Sequence, residues 1–264
     1  MSATGRLVAP LQNCGVLVTR PVEQAERLMS RLRDLGARPL LFPALDIVGP
    51  RQPNALRPLL SGIDQYDWLV FVSPTAVRFG MDALRLFASD AVLATINAAA
   101  VGNGTAEALR TSGCRNVLAP AVGADSEHLL ALQEFADLAG RRVLILRGEG
   151  GRELIADTLR ARGAMVDYAE CYRRTCPTTD PAPLRCAFAE QRIQASTVFS
   201  GETLDNLLEM LGSDAAPAAR VVPLFVPHPR IAEHARAMAF TRVIATAPGE
   251  DGLLAGLVEY FSHD

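Results

Sequence analysis

The sequence predicts an α/β fold: two similar parallel-sheet α/β/α domains from an internal duplication, joined by two crossing linker strands. Three features carry that expectation. Short aliphatic or β-branched runs alternate with amphipathic stretches along the whole chain, the pattern of βα units around parallel sheets. The chain also repeats itself at a nearly constant offset. Finally, segments 42–50 and 168–177 hold prolines and polar residues with little helical periodicity, which suits extended crossings between domains.

Taken in order, the strand-length runs fall at 16–19, 39–42, 68–72, 98–101, 116–119, 142–146, 165–168, 197–199, 222–226 and 242–246. Helices are expected in the gaps. The clearest covers about 22–35, where Leu28, Leu32 and Leu35 share one face and Gly36 supplies a left-handed stop.

At an offset of 127 positions, Val16, Leu17, Arg20, Glu26, Leu32, Arg33, Gly36, Ala37 and Ser73 recur as Val143, Leu144, Arg147, Glu153, Leu159, Arg160, Gly163, Ala164 and Ser200. At 126, Ala106, Glu107, Val117, Gly123 and Asp125 recur as Ala232, Glu233, Val243, Gly249 and Asp251. The order is therefore A, B, A′, B′. Two crossings would pair A with B′ and B with A′, giving a discontinuous domain of residues 1–42 and 176–264, a second of 50–168, and linkers 43–49 and 169–175. Each domain should hold a five-stranded parallel sheet, with a cleft beneath the strand ends of both.

The 264 residues and 49% hydrophobic content suffice for two buried cores. A net charge of −3 without a Lys/Arg cluster argues against nucleic acid as a partner, so an anionic ligand must be held locally. The apolar runs are strand-length, which argues against a membrane partner, and the opening residues to Asn13 lack a signal-peptide pattern, so a cytoplasmic protein is expected. Five cysteines without a CxxC, and histidines without helical i, i+4 spacing, argue against a metal site.

In open α/β sheets, ligands bind outside the carboxyl ends of the strands, where helix N-termini carry unpaired N–H groups. Candidate turns contain Ser73 and Thr75; Gly102, Asn103, Gly104 and Thr105; Arg147, Gly150, Gly151 and Arg152; and Ser200, Gly201 and Glu202. An ordinary N-cap accounts for any one of them; their recurrence in both halves points to a shared ligand. The Gly102–Asn103–Gly104 turn departs from a dinucleotide fingerprint because Glu107 stands at the third glycine position, and no GK[ST] follows Gly151. Two further positions stay open between readings. Tyr172 either packs at the second crossing or donates a proton, and His228 with Arg230 forms either a solvated loop or an anion contact.

Val18-Thr19-Arg20-Pro21, Asp67 to Val77, Val101 to Ala106, Arg147 to Glu153 and Tyr172-Arg173-Arg174 together resemble, in order, the patterns of the uroporphyrinogen-III synthase family. The likeness spans about Val16 to Leu257. It implies a monomeric lyase of tetrapyrrole, porphyrin and heme biosynthesis that cyclises hydroxymethylbilane, with no cofactor, no metal and transient contact with hydroxymethylbilane synthase. It places the family's linker Tyr on Tyr172, its strand-end serines on Ser73 and Ser200, and its turn Thr on Thr105. In the second such turn, His228 to Ala232, the hydroxyl is missing, which makes Arg230 the side-chain participant. The rival classes are a non-catalytic two-lobed binding protein, which a secretion signal or helix-turn-helix would favour, and a nucleotide-dependent transferase, weakened by the broken glycine fingerprint.

Overall fold

The computed structural model describes residues 9–123 and 125–262; the first eight residues of the opening segment expected to lack a signal peptide lie outside it. Its strands are β1 (Gly15–Val18), β2 (Arg38–Leu41), β3 (Asp46–Val48), β4 (Trp68–Phe71), β5 (Asn97–Ala100), β6 (Asn116–Leu118), β7 (Arg142–Gly148), β8 (Met165–Thr175), β9 (Ala195–Thr197), β10 (Leu224–Val226) and β11 (Val243–Ala245). They form two sheets, ordered β11-β10-β9-β1-β2 and β3-β8-β7-β4-β5-β6. Internal contacts divide the chain into unit 1, Met1–Asp46 with Thr175–Asp264, and unit 2, Ile47–Arg174.

In unit 1 every pair from β11 across to β2 is parallel. Strands buried on both faces read as continuous apolar runs, and β1 is buried at all four positions. Alternate β1 residues feed opposite cores. Val16 and Val18 meet Leu28, Leu32 and Leu257, whereas Leu17 meets Leu184, Leu207 and Leu211. Helix Val22–Asp34 follows β1 and buries Ala25, Leu28, Met29 and Leu32. It ends where Gly36 takes φ +86, a left-handed conformation that a side chain disfavours. Strand β10 begins two residues later than expected, because helix Gly201–Val221 runs to Val221 and Pro223 has no N–H to offer the sheet.

Unit 2 follows the same physical plan. Leu69, Phe71, Leu144 and Leu146 join one core, while Val70, Val143 and Ile145 join another built around Phe135 and Leu159. Helices therefore cover both sheet faces. Its sheet has six strands where five were expected, because the three-residue β3 adds an outer edge beside β8. Segment 169–175, expected as a linker, continues β8 without a break to Thr175.

Leu32 is fully buried in unit 1. Leu32→Ala should cost about 2–5 kcal/mol through lost burial and a residual cavity, read as a lower urea midpoint; an unchanged midpoint would contradict the packing described.

Candidate functional site

Strands β7, β4 and β5 are adjacent and parallel, so their carboxyl ends share one edge of the unit 2 sheet. After β4, Ser73 adopts an extended backbone and its Oγ accepts the Ala76 N–H at 3.0 Å. Pro74 opens the helix Pro74–Leu84, where its missing N–H costs nothing. After β5, Gly102 precedes helix Asn103–Thr111 and supplies no side-chain cap. The first amides of that helix therefore depend on solvent or a ligand. The two turns are neighbours, since a Cβ on Gly104 would stand 3.9 Å from Pro74 Cγ. Thr75 is half-buried and Asn103 exposed, but Thr105 is buried on the inner face of its helix.

Tyr172 reaches this edge through an irregularity in sheet register. Arg147 pairs with Glu170, but the next residue, Gly148, pairs with Tyr172, so Cys171 is the extra residue. The Tyr172 ring then lies over Gly148, where a Cβ would come within 2.7 Å of it, and stacks on Phe79 at 5.6 Å. Tyr172 is only 4% exposed. Its hydroxyl lies 3.3 Å from Ser73 Oγ, and either oxygen can donate. The packed reading of Tyr172 thus describes its ring, and the phenolic oxygen sits at the strand-end serine.

Turn 147–153 carries a dense charge network. Arg147, expected as a free anion contact, is buried and already engaged. Its Nη1 donates to Glu153 at 2.9 Å, its Nη2 donates to Glu170 at 3.2 Å, and its guanidinium lies 3.9 Å from the centre of the Tyr168 ring. Burial pulls this guanidinium down, but the bonds to Glu153 and Glu170 outweigh that and raise it above its ordinary value. Tyr168 also donates to Glu153. Burial and that bond push the Tyr168 phenol up to about 12, while Tyr168 and then Arg147 hold Glu153 below the usual carboxylate range. Gly150 and Gly151 take φ +72 and +120, left-handed values that suit glycine, and Gly150 N–H points to Glu170 at 3.3 Å. Arg152 is exposed on the same turn. Arg51 clasps Glu149, its N–H donating at 2.6 Å, beside a cavity of about 490 Å³ that Tyr168 and Glu170 also line.

In unit 1 the adjacent strands β10, β9 and β1 end in comparable turns. Ser200 matches Ser73 in geometry, its Oγ accepting the Thr203 N–H at 3.1 Å. Gly201 lies close to the His234 ring, and Glu202 is exposed. The hydroxyl missing from this turn is at Ile231, and the helix is capped instead from the turn's first position: His228 Nδ1 accepts the Arg230 N–H at 3.1 Å. The Arg230 side chain is exposed. One residue of this edge was absent from the expected site. Arg20, at the end of β1, pairs with Glu250 at 3.5 Å and lies 4.5 Å from the centre of the Phe199 ring. Its signal was the repeat itself, because Arg20 recurs as Arg147.

Among the described residues no group of His, Cys, Asp and Glu is arranged to hold a metal, and no helix is long and apolar enough to cross a membrane. A family model described as uroporphyrinogen-III synthase HemD matches residues 26–255. The chain is 38% identical over 197 residues to the uroporphyrinogen-III synthase of Escherichia coli (strain K12), covering 74% of this chain and 79% of that one. It is 37% identical over 192 residues to the enzyme of the same name from Salmonella typhimurium, covering 73% and 78%. Its fold is similar to the crystal structure of uroporphyrinogen-III synthetase from Helicobacter pylori 26695, with a TM-score of 0.61 at 14% identity, covering 95% and 98%. A mutant uroporphyrinogen III synthase from the extremely thermophilic bacterium Thermus thermophilus gives 0.58 at 20%, covering 95% and 100%.

Because Gly148 seats the Tyr172 ring, Gly148→Ala should overpack that contact, costing about 1–3 kcal/mol and changing the near-ultraviolet circular dichroism of the tyrosines; an unaltered spectrum with unaltered stability would contradict the close approach. Tyr168 should ionise near pH 12. Its phenol is raised on folding, so its contribution to stability is intact below about pH 10 and is lost as pH climbs through the folded value. Burial and the bond to Asp167 push the Tyr66 phenol up to about 12 as well, so Tyr168→Phe should diminish the late step of an ultraviolet tyrosinate titration without abolishing it, and a step of undiminished size would assign it elsewhere.

Proposed function

This chain belongs to the uroporphyrinogen-III synthase family, and we propose that it cyclises hydroxymethylbilane to uroporphyrinogen III with loss of water and inversion of the terminal pyrrole ring. The observation that carries the proposal is the meeting of an amide-rich sheet edge with the Tyr172 hydroxyl at Ser73, 3.3 Å away. A linear polycarboxylate needs several local donors, since the chain's net charge of −3 offers no bulk attraction. In unit 2 the helix-start amides of Thr75, Asn103 and Gly104 and the turn containing Gly150, Gly151 and Arg152 form one proposed set; in unit 1 the Ser200, Gly201 and Glu202 amides with His228 and Arg230 form another. Such contacts weaken with added salt. The matching caps at Ser73 and Ser200 favour descent of the two halves from one duplicated unit.

In the proposed reaction Tyr172 donates a proton to the departing hydroxyl of the first ring. Water leaves, and an electrophilic methylene-pyrrole remains. Ser73 Oγ already accepts from Ala76, so it holds a fixed position beside the phenol and orients it. The substituted carbon of the last ring attacks the methylene to give a spiro intermediate, whose fragmentation and reclosure invert that ring. Free bilane closes unaided to the uninverted isomer, so holding the two ends in register is the larger share of the task. The proposal requires no cofactor. Transient contact with hydroxymethylbilane synthase would shorten the exposure of the unstable bilane.

Tyr172→Phe keeps the ring that stacks on Phe79 and removes only the hydroxyl. A positioned general acid contributes about 10² to 10⁴ in rate, so turnover of hydroxymethylbilane should fall at least about tenfold. A rate within about threefold of the unaltered protein is too small a change for general acid work and would remove Tyr172 from that role.

A further inference from the structure

Two donors that the turn after β7 should offer a substrate, Arg147 and the Gly150 amide, are occupied by the protein's own carboxylates. Glu170 Oε1 accepts from both Arg147 Nη2 at 3.2 Å and the Gly150 N–H at 3.3 Å. Those distances are long for a charge-assisted bond, and the Glu170 side chain is 41% exposed, so little energy holds it in place. The arginine is the fixed partner. It is buried against Tyr168, and its Nε has no hydrogen-bond partner. A cation held rigidly, facing a weakly held anion and a left-handed glycine amide, is a carboxylate subsite with an exchangeable occupant.

The repeat places a corresponding arginine in unit 1. Arg20, the counterpart of Arg147, has Glu250 at 3.5 Å and the Phe199 ring beneath it. Glu250 Oε1 is itself buried without a hydrogen bond, so its contact with Arg20 is electrostatic and imperfect. In both units, then, a strand-end arginine on an aromatic ring faces an internal carboxylate, but Glu250 is 14% exposed and also meets Arg27 at 3.6 Å, so it is the more firmly held of the two.

We propose that Glu170 is a stand-in for a substrate carboxylate: it keeps Arg147 and the Gly150 amide neutralised in the free protein and is displaced when a tetrapyrrole carboxylate binds there. This rests on the functional reading above. It makes Glu170 a residue that sets affinity and selectivity, since only a ligand with a carboxylate in register recovers the lost ion pair. Glu153, nearer to Arg147 at 2.9 Å and bonded to Tyr168, stays in place and holds the guanidinium during the exchange.

The test is Glu170→Gln, which keeps size and removes the competing charge. Uroporphyrin III, the stable oxidised form of the proposed product, is the probe for Kd, and KM is measured with hydroxymethylbilane. Removing an exposed ion-pair competitor should tighten both by about two- to fivefold, with a steeper weakening of binding by salt. If Glu170 merely braces the turn, both constants rise or stay level, which overturns the proposal. Thermal melts show whether the variant is folded, and Glu170→Asp, whose shorter arm withdraws the carboxylate from Gly150, should tighten binding in the same direction. If the unaltered protein fails to convert hydroxymethylbilane, the functional reading fails; if it converts while neither variant binds more tightly, only the stand-in role fails.

Discussion

A parallel strand that turns into a helix leaves amide hydrogens at the helix start that neither element can satisfy, and the candidate chemistry of this protein depends on that constraint. In unit 2 the constraint acts three times along one sheet edge, after β7, β4 and β5. The chain meets it in a different way each time. Ser73 caps with its own hydroxyl, Gly102 leaves its helix uncapped, and after β7 Glu153 precedes helix Leu154–Ala161 without a side-chain cap, while the Gly150 amide of the turn before it goes to Glu170. A ligand bearing several carboxylates would meet there one satisfied turn, one open turn and one turn whose Gly150 amide Glu170 occupies.

Tyr172 is brought to this edge by packing, not by loop flexibility. The extra residue at Cys171 shifts register between β7 and β8, and Gly148 has no Cβ to obstruct the ring. Phe79 then stacks on it from helix Pro74–Leu84, whose cap is the same Ser73 that meets the phenolic oxygen. One helix therefore fixes both the ring and its hydrogen-bonding partner. Such preorganisation suits catalysis, because little reorganisation is left for the moment of reaction.

Much of the architecture is legible in the sequence because parallel strands buried on both faces are unbroken apolar runs, and those runs located ten strands to within a few residues. The eleventh, β3, has only three residues between Pro43 and Pro50 and carries no such run. Strand β8 runs past its apolar start into Glu170, Tyr172, Arg173 and Arg174, whose polarity reads as linker although β8 lies between β3 and β7 in the sheet. At the site, cap positions such as Ser73 and Ser200 follow from local sequence. The engagement of Arg147 does not, because Glu170 is set opposite it by sheet register, 23 positions along the chain. Nor does sequence indicate that His228 will accept the Arg230 amide and so cap its helix.

The most direct measurement follows the fate of the bilane. Hydroxymethylbilane is incubated with the purified protein, the product is oxidised, and the type I and type III isomers are separated. Type III should dominate and increase with protein concentration. A product left at the type I composition of spontaneous closure would contradict the proposed activity.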